Sequence, residues 1–86
     1  MTISKDQRKT IERTSGVVQS VDLIARTVSI LRDSRVLRFD VPASCTILLH
    51  GEPVRLHLLQ SQDRVRVTYR RVPGGLEAQR IEAPSP

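Results

Sequence analysis

The sequence predicts an all-β domain, a small five- to six-stranded barrel with one short helical turn before its penultimate strand. Residues 64–70 read Arg-Val-Arg-Val-Thr-Tyr-Arg, a strict alternation that sets Val65, Val67 and Tyr69 on one face of a strand and Arg64, Arg66, Thr68 and Arg70 on the other. Short apolar runs bounded by Gly, Pro, Asp and Ser recur at intervals of roughly eight to twelve residues, the spacing of strands joined by turns. No long stretch carries helical periodicity. A barrel is expected over a sandwich because closure removes the open edges that a short sheet would expose.

Each element follows from the local pattern. Residues 1–14 are mostly polar and read as a flexible lead-in, in which Ser4 and Gln7 have the spacing of a weak capping box. The barrel is expected over residues 15–83, and residues 84–86 form a frayed tail. The first strand holds Val17, Val18 and Val21, with Val17, Gln19 and Val21 on one face and Val18, Ser20 and Asp22 on the other. A turn over Asp22 to Ala25 leads to a second strand, Arg26 to Leu31, with Val28 and Ile30 inward. The polar turn Arg32-Asp33-Ser34 precedes a third strand, Arg35 to Val41, whose core side is Leu37, Phe39 and Val41. Pro42 ends it because proline has no N–H to give a ladder. Thr46 to Leu49 is a short apolar run stopped by His50-Gly51-Glu52-Pro53. Leu56 and Leu59, three apart, fit one turn of helix lying as a lid on the core. After the Arg-rich strand, Pro73-Gly74-Gly75 makes a tight turn into a last strand, Leu76 to Ile81.

With 86 residues the chain allows one domain, of a size that buries roughly 60–65% of the surface its unfolded chain exposes. Lys and Arg number 14 against 9 acidic residues, a net charge of +5, and twelve of the fourteen cations are arginine. Arginine is the side chain suited to bidentate contact with phosphate or carboxylate. The charge is spread along the chain, so a basic patch has to be assembled by folding. Cys45 is the one cysteine, which excludes an internal disulfide and reads as a small buried residue. The polar start has no apolar segment behind it, and the longest apolar runs are far too short to span a bilayer. The expected location is the cytoplasm, with no membrane partner.

The run Gly16-Val17-Val18, then Val21-Asp22, Phe39-Asp40-Val41, Gly51-Glu52-Pro53 and Asp63-Arg64-Val65-Arg66-Val67-Thr68-Tyr69 resembles small bacterial OB-like barrel domains, many of them without assigned function. The resemblance covers about residues 16–83 and rests on glycines and alternating apolar residues, which carry architecture and not chemistry. Where such domains usually have Pro-Gly-Asp before the penultimate strand, this chain has Ser61-Gln62-Asp63. The same strand plan also resembles periplasmic copper-binding barrels, whose ligands are His, Met and Trp. This chain has no Trp and its one Met is Met1, so copper binding is not carried over.

No phosphate-binding glycine loop, nucleophile elbow or spaced pair of catalytic carboxylates is present, and the expected function is therefore non-enzymatic. His50 and His57 are seven apart and only one cysteine accompanies them, so no metal and no other cofactor is expected. OB-like barrels bind single strands with a basic face and aromatic platforms. The expected function is a binding module for single-stranded RNA or DNA, with Arg64, Arg66, Arg70 and Arg38 as phosphate contacts. Phe39 and Tyr69, the two ring residues that could stack on bases, fall in phase with the core. The second reading of the arginine stripe is a solvated face paired across strands to Asp40, Glu77 or Glu82. The alternative function is a protein-interaction or homo-oligomeric assembly domain that uses exposed Leu31, Val36 or Leu48.

Overall fold

The computed structural model describes residues 11–84. The Ser4–Gln7 pair, most of the expected lead-in and the last two residues of the tail lie outside them. Seven strands follow one another: β1 (Ile11–Asp22), β2 (Thr27–Arg32), β3 (Arg35–Asp40), β4 (Thr46–Leu49), β5 (Glu52–Pro53), β6 (Arg64–Val72) and β7 (Gly75–Ala83), with a 3-10 turn at Leu56–Leu58 between β5 and β6. The strand order is β3-β2-β1-β6-β7-β4-β5, and β3 also pairs with β7. Five strands therefore close a ring, with the short β4–β5 hairpin carried on the edge of β7. The barrel expected from the sequence is the one observed.

β1 starts at Ile11, so residues 11–14, assigned above to the lead-in, are strand. They pair with β6 from Ile11↔Arg70 to Val17↔Arg64. Pairing with β2 begins at Val17↔Leu31 and runs to Asp22↔Thr27. One long strand thus serves two neighbours and bends where it passes from one to the other. Gly16 sits at that bend. A Cβ there would lie 2.5 Å from both the Ile30 Cγ2 and the Leu31 carbonyl oxygen, so only glycine lets β1 cross β2 this closely.

Two bulges reset the inside–outside alternation. On β1 the register jumps between Val18↔Ile30 and Ser20↔Ser29, leaving Gln19 as the extra residue. Val18 is buried, and Val21, expected on the opposite face, also packs against the core. On β7 the register jumps between Thr68↔Arg80 and Tyr69↔Ala78, and Ala78 and Ile81 both point inward although they are three apart.

The core is built from Val18, Val28, Ile30, Phe39, Val67 and Ile81, all fully buried, with Phe39 edge-on to Tyr69 at a centroid distance of 5.0 Å. Leu56 and Leu59 are buried as the lid. The lid segment is tied to the bulged part of β1: the Val18 N–H donates to the Asp63 carbonyl and the Gln62 N–H to the Val18 carbonyl, each 2.8 Å. Asp33 and Ser34 both take positive φ (48° and 67°), which makes the β2–β3 connection a two-residue hairpin with Arg32 and Arg35 as its last pair. His50 and Gly51 do the same between β4 and β5, where the sequence suggested only a strand stop.

Candidate functional site: a cleft walled by arginines

β6 presents its arginines outward as the alternation requires, but the four expected contacts do not converge. Arg64 and Arg70 are six residues apart, about 20 Å along a strand. Arg70 is held by Glu77 on β7, Nε to Oε1, at 2.9 Å. Arg38 lies on β3 beside the β6–β7 turn, in a hollow with Asp40, Gly74 and Gly75. Arg64 and Arg66 remain together. Neither has an ion-pair partner among the described residues, since Glu82, opposite Arg66, is engaged by Arg80 at 3.5 Å. The paired-face reading therefore holds for Arg70, while Arg64 and Arg66 are left to solvent.

Arg64 and Arg66 form one wall of a cleft of about 420 Å³. The opposite wall is the β2–β3 turn, with Arg32 and Asp33, and the floor is Ser15, Gly16 and Val17 of β1, flanked by Leu31 and Pro84. The site exists because of the bend in β1: before Val17 the strand pairs with β6 and not with β2, and the gap this leaves is bordered by the end of β2 and the start of β6. In the sequence Arg32 stands out only as part of the polar turn Arg32-Asp33-Ser34; its place in the cleft follows from the strand crossing, which leaves no local sequence signal. Its guanidinium donates to the Thr14 hydroxyl at 2.5 Å and lies 3.6 Å from the Asp33 carboxylate, so it is oriented before any ligand arrives. Three arginines face one aspartate, with apolar side chains between them. Such a surface favours an anion.

Behind Arg32, a second hollow of about 360 Å³ is lined by Thr14, Arg35, Tyr69 and Arg71. Its Arg71 is already paired. Glu12 accepts hydrogen bonds from Arg71 Nε at 2.9 Å and from the Tyr69 hydroxyl at 3.1 Å. The bond from Arg71 is the main cause that holds the Glu12 carboxyl below its ordinary range. Burial, then the Glu12 carboxylate, pushes the Tyr69 phenol up.

Soft-metal donors are scarce and scattered. Burial raises the Cys45 thiol to about 11, which keeps it protonated near neutral pH. His50 is in the β4–β5 turn and His57 in the 3-10 turn. Among the described residues no three His, Cys, Asp or Glu side chains gather in a way that could hold a metal ion. No helix among them is long and apolar enough to cross a membrane.

No family model and no curated protein sequence matches the chain. Solved structures do match in shape. Apo-CusF from Escherichia coli superposes with a TM-score of 0.76 at 15% identity, covering 99% of this chain and all of that one. The Ag(I) form of CusF gives 0.74, with 93% and 99% covered, and a Cu(II) form of a CusF variant gives 0.69 at 16% identity, with 87% and 92% covered. At such identities the likeness shows the fold, a small OB-like barrel.

These neighbours correct four expectations. The barrels that share this architecture hold Ag(I) and Cu(II), and nothing in the match supports a single-stranded RNA or DNA module. The protein-interaction and assembly alternative gains no support from the match either. Setting metal aside as a partner is also corrected, because the fold is one on which metal ions are bound, although this chain's described donors do not compose such a site. The cytoplasmic location is withdrawn, since the copper-binding barrels of this strand plan are the periplasmic kind named above.

Proposed function

We propose that this domain is a non-enzymatic barrel that binds a small anionic ligand in the cleft between Arg32, Arg64 and Arg66. The observation that carries this reading is the pair of exposed arginines on β6, without an ion-pair partner among the described residues, facing a third that Thr14 and Asp33 already orient. Charge-assisted hydrogen bonds from guanidinium to carboxylate or phosphate are short, directional and bidentate. A preset Arg32 lowers the ordering cost of binding. The cleft, of about 420 Å³, has the volume of a small-molecule site.

The test is a titration of the full chain with inorganic phosphate and with acetate, followed by backbone amide NMR shifts. Saturable shifts centred on Ser15 to Val17, Asp33 and Arg64 to Arg66 are expected. They should weaken by about tenfold or more in the Arg64→Gln, Arg66→Gln double variant, the loss of one or two charge-assisted hydrogen bonds. Silver(I), the ion held by CusF, is titrated in parallel. Saturable silver binding with no response to either anion would overturn the proposal and return the barrel to metal handling.

A further inference from the structure

The outer face beside the cleft carries an ordered row of side chains. Val17 on β1 lies directly opposite Arg64 of β6 on one side and opposite Leu31 of β2 on the other. Leu31 in turn lies opposite Val36 of β3. Register partners in a sheet point to the same face, so Arg64, Val17, Leu31 and Val36 form a line across four strands, spanning about 14 Å at the usual strand spacing. The face is the outer one, since Val18, Ile30 and Val65, the neighbours along each strand, are buried. Leu31 is 40% exposed and Val36 54%. Scattered exposed apolar residues are ordinary, but here exposed Leu31 and Val36 are contiguous with half-buried Val17, and the row ends on Arg64, which has no ion-pair partner among the described residues.

We infer that the ligand is an amphiphilic carboxylate, its head on Arg64 and Arg66 and its hydrocarbon body laid across Val17, Leu31 and Val36. This rests on the anion reading of the cleft and names the class of anion. A fully hydrated ion such as phosphate would use the arginines and leave the apolar row wet. A carboxylate with an alkyl body satisfies both, because charge complementarity fixes one end and burial of apolar surface against the row stabilises the other. The row also sets polarity, since arginines stand at its β6 end and Val36 at its β3 end.

The measurement is the dissociation constant of butyrate, octanoate and decanoate, each below its micellar concentration, with octanol as the uncharged control. Each methylene that becomes fully buried tightens binding by up to about fourfold. On a row open to solvent on one side, decanoate is expected to bind at least about tenfold more tightly than butyrate. Octanol should show no saturable binding. Val36→Ser, an exposed change at the far end of the row, should weaken decanoate about threefold or more and move butyrate less than twofold. Equal affinities for butyrate and decanoate would overturn this inference and leave the anion reading standing. Absence of binding by all three carboxylates, with phosphate also silent, would remove both. The wild-type chain-length series decides the matter even if the variant folds poorly.

Discussion

Gln62 holds a left-handed backbone conformation, φ +83°, at the place where similar barrels usually have the glycine of Pro-Gly-Asp. A side chain in that region costs roughly 1–2 kcal/mol, part of which glycine would return through its own unfolded-state entropy. The position is retained because the Gln62 N–H anchors the lid segment to β1 and Asp63 accepts the Gln60 N–H through Oδ2 at 3.0 Å. Gln62→Gly is expected to stabilise the domain by about 0.5–1 kcal/mol, read as a higher urea midpoint with an unchanged slope. A lower midpoint would mean that the amide side chain contributes more than the backbone strain removes. Gly16 shows the opposite case: its φ is not the constraint, and the contact of a Cβ with a backbone carbonyl is.

At the scale of the element, the first half of β1 is bonded to β6 along one edge, and pairing with β2 begins only at Val17. Glu12 reinforces this half strand by accepting from Tyr69 and Arg71 on β6. Its folded pKa is lowered, chiefly by the bond from Arg71. The sign of the pH effect follows: the contribution is present above the ordinary carboxylate range and is lost as pH falls through the lowered value, where the native carboxylate takes up its proton. Glu12→Gln is therefore expected to be less stable than the wild type at neutral pH, by a small amount because the pair is solvent-exposed. The gap should close as the solution is acidified below the carboxylate range. Chemical denaturation of both proteins across that range is the check, and a gap independent of pH would assign the effect to packing. The bulges at Gln19 and on β7 act at this same scale. Each turns a strict two-residue alternation into a three-residue step, so that Val21 packs against the core that holds Val18, and Ala78 and Ile81 are both buried in it.

In the whole molecule, closure of the ring depends on the narrow contact of β3 with β7, registered at Asp40↔Glu77, and on the core beneath it. Phe39, fully buried and edge-on to Tyr69, joins β3 to β6 across the interior. Truncation of a buried Phe to Ala costs about 3–5 kcal/mol, a large share of the 5–15 kcal/mol typical of a folded domain. Phe39→Ala is expected to lose most of its cooperative thermal transition by circular dichroism, whereas Val36→Ala, on the exposed outer face, should shift the midpoint little. A Phe39→Ala domain with near-wild-type stability would show that β4, β5 and the lid carry closure instead. The cleft is likewise a property of the whole, because its walls come from β6 and the β2–β3 turn, more than thirty residues apart in sequence.

The sequence by itself determined the local choices: strands where apolar and polar residues alternate, a stop at Pro42, a turn at Pro73 to Gly75, Leu56 and Leu59 as a lid, and Val65, Val67 and Tyr69 inward. Those follow from backbone sterics and the two-residue period, which act over a few neighbours. Tertiary structure decided what depends on pairing between distant segments. It set the bulges that override the period, the bend at Gly16, the neutralisation of Arg70 by Glu77, and the meeting of Arg32 with Arg64 and Arg66. A stripe of arginines in one strand reports which face is wet. Which of those arginines remain without a partner, and what lies between them, is fixed only when the neighbouring strands take their register.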